Sequence, residues 1–288
     1  MRKNDLMKLV VCVLAALLCL YGALAVAENG DLSVARLLHQ GTQYATGNGA
    51  EQDFAKAFEC FLEAAEKGSV EGMSYVAQMY RRGEGVEQDY AKALEWYEKA
   101  AENGDSDSMC NAALMYINGI GTEQDYVSAL EWLTKAAECG DVSAMHNVGS
   151  IYYNGDGVEQ DYVKALEWYE KAAQGGSVSA MYNAGLIYYN GYGTPQDYVK
   201  ALKWFMMAAE NDHVSAMYNA ATMYRRGEGT DPDIEKAFEW YEKAANGGDV
   251  WAMNNVGTMY KNGDGVEQDF AKAIEWYEKA RMLTTSMG

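Results

Sequence analysis

Residues 141–174 read DVSAMHNVGSIYYNGDGVEQDYVKALEWYEKAAQ, and this stretch decides the fold. Small and apolar residues recur at i, i+4 and i+7 on both sides of a Gly-Asp-Gly tripeptide at 155–157. That spacing predicts two amphipathic helices, over about 141–154 and about 161–174. The glycines allow the positive φ angles that end a helix and reverse the chain, and Asp161 is placed to cap the second helix. The stretch therefore predicts a helical hairpin.

The same pattern recurs every 36 residues along the chain without an insertion. The G-x-G tripeptides begin at Gly47, Gly83, Gly119, Gly155, Gly191, Gly227 and Gly263. Tryptophan keeps the same period at Trp96, Trp132, Trp168, Trp204, Trp240 and Trp276, with Cys60 at the corresponding place in the first unit. A fixed period of this length indicates stacked repeats, because one hairpin cannot bury both of its faces alone.

The repeats predict the fold class and the domain organisation. We expect an all-α, right-handed superhelical α-solenoid of seven 36-residue helical hairpins within a repeat domain at 28–283, followed by a flexible tail at 284–288. The units span about 31–66, 67–102, 103–138, 139–174, 175–210, 211–246 and 247–282.

Two details inside the hairpin predict how its helices pack. The place of Gly149 is taken by glycine or alanine in every unit, which lets the two helices approach closely. Glu167 and Lys171 are four residues apart on the second helix, a spacing that predicts an ion pair on a solvated face.

The N-terminal segment has the pattern of a targeting signal. Basic residues precede an apolar run over 9–20, and Ala25-Val26-Ala27 precedes Glu28. This order predicts a secretory signal peptide over 1–27 and bacterial export, to the periplasm or outside the cell. The alternative is an uncleaved anchor, because the apolar and small residues from 9 to 27 are about long enough to span a bilayer.

Charge and cysteine content exclude several classes of partner and framework. The chain carries 42 acidic against 23 basic residues, a net charge of −19, which argues against nucleic acid and anionic lipid as partners. Two of its five cysteines lie in the predicted signal. The remaining Cys60, Cys110 and Cys139 are odd in number, so a disulfide framework is not expected.

The sequence lacks the usual marks of catalysis. His39, His146 and His213 lie in different units, and no Cys or His recurs at metal-ligand spacing. The G-x-G pairs lack the third glycine of a dinucleotide-binding loop, and S-x-x-K, G-x-S-x-G and H-E-x-x-H are absent. We therefore expect no catalytic residue, no metal and no cofactor.

Residues 179–209, SAMYNAGLIYYNGYGTPQDYVKALKWFMMAA, resemble the Sel-1-like repeat, a relative of the tetratricopeptide repeat with a longer turn in the hairpin. All seven units carry the pattern. The resemblance implies a non-enzymatic scaffold or adaptor that holds another protein, and many bacterial members are exported. Some cysteine-rich members carry β-lactamase labels, but they place a cysteine pair in each unit and this sequence does not. Two alternatives stay open: a weak hydrolase, and an envelope-associated structural factor that recognises glycan.

Positions that differ between units indicate where a partner binds. On the first helix, the places of Ser143, His146, Ser150 and Tyr153 vary most, and they project within about 80° of one another. This pattern predicts one exposed face that binds a protein or peptide with some acidic side chains, although such positions also drift without a function. The residues predicted to bind are Arg81, Leu114, Ile117, His146, Tyr153, Tyr182, Leu186, Tyr189, Tyr218, Arg225 and Trp251. Tyrosine, tryptophan and arginine are the residue types that suit an interface.

A row of asparagines and the C-terminal end carry further alternatives. Asn147, Asn183 and Asn219 recur once per unit, and their amides either hold a peptide backbone or bond the adjacent unit. Trp251 replaces small or polar residues and covers either a partner or the end of the solenoid. The final helix, about 269–282, lacks a polar cap, so either self-association through it or a disordered tail would shield it.

Overall fold

The structure is a computed structural model that describes residues 33–286. Within this range the chain forms fourteen helices and no strand. Their bounds are α1 33–46, α2 Phe54–Glu66, α3 Val70–Arg82, α4 Tyr90–Glu102, α5 Ser106–Asn118, α6 Tyr126–Glu138, α7 Val142–Asn154, α8 Tyr162–Gln174, α9 Val178–Asn190, α10 Tyr198–Ala209, α11 Val214–Arg226, α12 Ile234–Asn246, α13 Val250–Asn262 and α14 Phe270–Ser286. The predicted signal peptide at 1–27 lies outside the described residues. Among residues 33–286, no helix combines the length and apolar character that crossing a bilayer requires.

The chain divides into two compact units, residues 1–125 and residues 126–288. The described part of the first unit contains α1 to α5, and that of the second contains α6 to α14. Within each unit, successive helices from α2 to α5 and from α6 to α14 pack on one another. This is the arrangement expected of stacked hairpins.

The turn inside each hairpin is held by bonds that the sequence pattern predicts. Gly155 ends α7 in the left-handed conformation, with a φ of 78°. The Asp161 carboxylate accepts a hydrogen bond from the Lys164 N–H at 3.0 Å and so caps α8. The Asp161 N–H donates to the Tyr152 carbonyl at 2.9 Å, and the Gln160 amide donates to the Tyr153 carbonyl at 2.8 Å. These bonds fix where each helix ends and begins.

Within a hairpin, an aromatic ring of the second helix lies on a glycine of the first. A Cβ atom at Gly149 would come 2.8 Å from the ring of Tyr169, and one at Gly185 would come 2.7 Å from the ring of Phe205. Real Cβ atoms do not approach so closely, so the ring needs the bare backbone. The predicted reason for a small residue at this place is confirmed.

Between hairpins, the second glycine of the G-x-G turn makes the close approach. Gly229 has a φ of 78°, and a Cβ atom there would overlap the carbonyl of Tyr198, the first residue of the preceding second helix. At Gly265 the same atom would come 2.5 Å from the carbonyl of Ile234. Backbone therefore packs on backbone at these contacts between repeats.

The lysine of the predicted ion pair has a different partner. The Lys171 amino group lies over the ring of Trp168, 4.1 Å from its centroid, and no ion pair joins it to Glu167 in the described range. The same lysine–tryptophan contact recurs in other repeats, for example at 3.9 Å between Lys243 and Trp240. An ammonium over an indole face gains about 0.5–1 kcal/mol even at an exposed site, which is somewhat more than the value of about 0.3–0.5 kcal/mol for an exposed i, i+4 pair.

The last helix differs from the expected boundary. It continues to Ser286 instead of ending near 282, so residues 284–286 are helical and not part of a flexible tail. Ile274 on this helix is 58% exposed, whereas the equivalent Leu202 and Phe238 are 7% and 8% exposed. No described helix covers this face of α14. The two alternatives for shielding it, self-association and a disordered tail, stay open.

Glycine is required here for two reasons, positive φ and close packing, and Gly229 and Gly248 allow the two to be tested separately. Both have positive φ, but a Cβ atom at Gly248 would meet nothing within 4 Å. We expect Gly248→Ala to cost about 1–2 kcal/mol of unfolding free energy through backbone strain, and Gly229→Ala to cost about 1–3 kcal/mol more through overpacking. Urea unfolding followed by circular dichroism measures both variants. Equal losses would show that the turn does not pack tightly on the preceding repeat.

Candidate protein-binding surface

The predicted face lies on the first helices, and much of it is half-buried instead of exposed. Tyr182 stacks on the ring of His213, which precedes the next first helix, with ring centroids 4.5 Å apart. His146 lies 5.6 Å from the ring of Tyr169. Projection along one helix did not predict these contacts, because the covering groups come from loops and second helices. These rings therefore hold the stack together as well as lining its surface.

A second aromatic group surrounds Tyr153. Its ring meets that of Tyr162 at 5.2 Å and that of Tyr192 at 6.4 Å, while Tyr162 and Tyr192 stack at 4.9 Å. Tyr192 is the middle residue of the next G-x-G turn and is 38% exposed. Sequence reasoning missed Tyr192 because the turn was treated as structural only. The signal was there, since this middle residue differs between turns.

A group of hydrogen-bonded and charged side chains lies at the C-terminal end of α9. The Tyr189 hydroxyl donates to the Glu228 carboxylate at 3.1 Å, and the Arg226 guanidinium donates to the Tyr189 oxygen at 3.5 Å. Arg226 also pairs with Glu228 at 3.6 Å. Burial, with the negative charge of Glu228, raises the pKa of Tyr189.

First helices of adjacent repeats leave clefts between them. The cleft between α9 and α11, of about 300 Å³, is lined by Leu186, Tyr189, Asn190, Tyr218, Asn219, Thr222 and Arg226. The cleft between α3 and α5, of about 550 Å³, is lined by Arg81, Arg82, Gln88, Tyr90, Asn111, Leu114, Met115, Asn118 and Ile120. A third, of about 200 Å³, lies between α1 and α3. The three are equivalent, because their lining residues differ by multiples of the repeat length.

The asparagine row makes contacts between repeats. The Asn183 amide nitrogen lies 3.2 Å from Nε2 of His146 in the preceding repeat. At Asn183 the structure thus forms the bond to the adjacent repeat, which is one of the two roles left open by the sequence. Asn147 is half-buried beside His146.

The remaining predicted residues differ in exposure. Trp251 is 73% exposed and Leu114 is 46% exposed, while Ile117 is half-buried. The Arg225 guanidinium lies 5.7 Å from the centroid of the Tyr241 ring. The structure thus brings Leu186, Tyr189, Tyr218 and Asn219 to one cleft and places Arg81 and Leu114 in another.

The described residues contain no cluster of three His, Cys, Asp or Glu side chains that could hold a metal ion. Regular helical hairpins with clefts between successive first helices define an α-helical repeat protein with a surface open to ligands. The chain belongs to the Sel1 repeat family. The family model, described as Sel1 repeat, matches residues 41–69, 70–105, 106–141, 142–177, 178–213, 214–249 and 252–284. Sel1 repeat proteins are generally protein-interaction scaffolds.

Solved structures agree with this assignment. The chain is similar to c5321, a protective antigen present in uropathogenic Escherichia coli strains that displays an SLR fold, with 33% identity and a TM-score of 0.81. That match covers 90% of this chain but only 55% of the E. coli chain. A Sel1 repeat protein from Oxalobacter formigenes is 32% identical with a TM-score of 0.65, over 85% of this chain and 99% of its own. None of the curated proteins compared reaches the level of a match. The predicted fold class, an all-α solenoid of helical hairpins, is confirmed.

His213 gives this surface a dependence on pH. Its Nδ1 accepts a hydrogen bond from the Ala216 N–H at 3.2 Å and so caps α11, which only the neutral ring can do. Burial lowers the pKa of His213 below 6.5. Since the unfolded chain binds the proton more readily, stability is present above about pH 6.5 and is lost as the pH falls through the folded pKa.

We expect His213→Asp to weaken this pH dependence, because aspartate caps the equivalent first helices at Asp105, Asp141 and Asp249. Between pH 7 and 5 the wild-type chain should lose about 0.5–1 kcal/mol more unfolding free energy than the variant, the range for an exposed-to-half-buried cap. Urea unfolding at each pH measures the difference. An identical slope in both proteins would exclude the histidine cap as the cause.

Proposed function

We propose that this chain is an exported, non-enzymatic scaffold that binds a polypeptide in the clefts between the first helices of adjacent repeats. The observation that carries the proposal is the lining of these clefts, which combines tyrosine rings, asparagine amides and guanidinium groups. Rigid aromatic rings give contact area at low entropic cost, and arginine pairs with carboxylates. The family's general role as protein-interaction scaffolds supports it.

The α9–α11 cleft illustrates the fit to a polypeptide. Leu186 and Tyr218 provide apolar surface, while the Asn190 amide nitrogen already donates to the Leu186 carbonyl at 2.9 Å, leaving its oxygen to accept. Such a mixture of apolar floor and amide acceptors matches side chains and backbone N–H groups of an extended peptide. Clefts of this kind repeat along the stack, which suits a ligand that is itself a chain.

The chain's own repeats supply a test that preserves the fold. In the last repeat, Thr258 and Lys261 occupy the places of Leu186 and Tyr189. We expect the double variant Leu186→Thr/Tyr189→Lys to lose at least about tenfold in affinity for peptides selected from a random display library, since it removes the apolar and aromatic anchors. Fluorescence anisotropy measures the affinity.

Val199→Ala is the matched control. Val199 is 66% exposed on α10, outside the cleft, and alanine stands there in the last repeat as Ala271. Unchanged peptide affinity in the double variant would show that the cleft does not bind. Binding to a glycan array without any peptide binding would favour the envelope-associated alternative, and turnover of nitrocefin by the purified chain would favour the hydrolase.

We also propose that the chain reaches the bacterial periplasm or exterior through residues 1–27. The order of basic, apolar and small residues supports this, as does the similarity to a protein described as a protective antigen. Intact-mass spectrometry of the exported protein should give a chain that starts at Glu28. A full-length species that is extracted only with membranes would instead indicate an anchored scaffold.

A further inference from the structure

The cleft between α3 and α5 in the first unit contains an arginine without an acceptor. The Nε atom of Arg81 is buried and has no hydrogen-bond partner among the described residues. No carboxylate in the described range pairs with its guanidinium. Arginine keeps its proton in proteins, and a buried donor left without a partner is energetically unfavourable. An acceptor from outside the chain would remove that cost.

Repeat 6 contains the same sequence, and there both arginines contact other side chains of the chain. Residues 79–85 and 223–229 both read MYRRGEG. In the second copy, Arg225 lies over the Tyr241 ring at 5.7 Å and Arg226 contacts both Glu228 and the Tyr189 hydroxyl. The first copy is different, because Ala45 stands where Tyr189 would be and cannot offer a hydroxyl.

The first copy therefore leaves more of its arginine chemistry unused. Arg82 pairs with Glu84 at 3.8 Å, much as Arg226 pairs with Glu228, but in the described range it has no counterpart of the hydrogen bond from Arg226 to the Tyr189 hydroxyl. Arg81 makes no ion pair in the described range. The second arginine of the motif thus makes one more contact in repeat 6 than in repeat 2, and among the described residues only repeat 2 has an arginine Nε buried without a partner, which marks repeat 2 as the site for an external anion.

The facing wall of the cleft offers the opposite hydrogen-bonding groups. The amide nitrogens of Asn111 and Asn118 donate to carbonyls of their own helix, at 2.9 Å and 2.7 Å. Their amide oxygens therefore remain as acceptors. Leu114 on the same helix and Ile120 in the turn after it also line the cleft, and they are 46% and 38% exposed. The cleft thus presents cationic donors, neutral acceptors and an apolar floor side by side.

We propose that this cleft binds an extended peptide segment in which a carboxylate lies beside an apolar side chain. The carboxylate pairs with Arg81 and Arg82, the apolar side chain packs on Leu114 and Ile120, and backbone N–H groups donate to the asparagine oxygens. This inference rests on the proposed function and names its ligand class. The charge distribution supports a ligand with a carboxylate, because Arg81 and Arg82 form a local cationic site on a chain whose net charge is −19.

An array of hexapeptides tests the proposal with the full chain. Each peptide carries one leucine next to one glutamate and is made with a free or an amidated carboxyl terminus, alongside amidated glutamine counterparts. The carboxylate has two sources, which the array separates. Loss of binding on amidation assigns it to the peptide's C-terminus, and loss on replacing glutamate by glutamine assigns it to a side chain.

Arg81→Ala should lower affinity for the carboxylate peptides at least tenfold, and the first repeat shows that alanine, as Ala45, is compatible with this place. Arg36→Ala, which removes an exposed arginine of α1 outside this cleft, is the matched control and should bind as the wild type does. Circular dichroism checks that both variants are folded. Arg81→Lys should recover only part of the affinity, because an ammonium does not pair bidentately.

Three results would overturn the inference: equal binding by Arg81→Ala, equal binding of the amidated glutamine peptides, or no binding of any carboxylate peptide by the wild-type chain. Library peptides that depend on Leu186 and Tyr189 would still bind in each case if the proposed function holds. Failure here is therefore distinguishable from failure of the scaffold proposal.

Discussion

The second glycine of each turn has no Cβ atom, and the stacking of hairpins within each unit depends on that. At Gly229 and Gly265 the turn of one repeat lies against the first backbone carbonyl of the preceding second helix, at a distance no side chain tolerates. Close contact at this edge sets the position of each hairpin on the one before. The first helices then sit far enough apart at their C-terminal ends to leave clefts between them. The clefts are thus a consequence of how the turns pack.

The sequence predicted those features of the fold that depend on interactions between residues close together in the chain. Helix ends follow from capping by Asp161 and chain reversal at Gly155, which involve residues only a few positions apart. The exposure of the binding face was predicted less well. His213 lies 31 residues after Tyr182 yet stacks on it, and nothing in a helical projection indicates which loop residue of the next repeat covers a given side chain.

Residues vary between repeats for two reasons: compensation for a neighbouring residue in the same hairpin, and recognition of a partner. The structure identifies positions of the first kind. In the second unit, Tyr169 donates to the Ser150 hydroxyl at 3.2 Å, and the Tyr241 hydroxyl lies 2.9 Å from that of Thr222. Where the ring is Phe205, the corresponding first-helix residue is Leu186. The variable position on the first helix thus follows the ring that it faces, so much of its variation is compensation within the hairpin and not recognition of a partner.

Positions without such compensation within the chain are therefore more informative about partner binding. Repeat 2 has two of them. Tyr97 is fully buried and its hydroxyl has no partner in the described range, because Gln78 stands where the second unit has Ser150 or Thr222. Arg81, in the same hairpin, has a buried Nε without an acceptor. Buried polar groups in folded proteins are normally satisfied. In the second unit, Ser150 and Thr222 provide hydroxyl partners for Tyr169 and Tyr241, while Arg225, at the place of Arg81, is exposed. The contacts of the MYRRGEG motif therefore depend on the preceding repeat. Tyr189 accepts a hydrogen bond from Arg226 in the second copy, whereas Ala45 has no hydroxyl to offer Arg82 in the first.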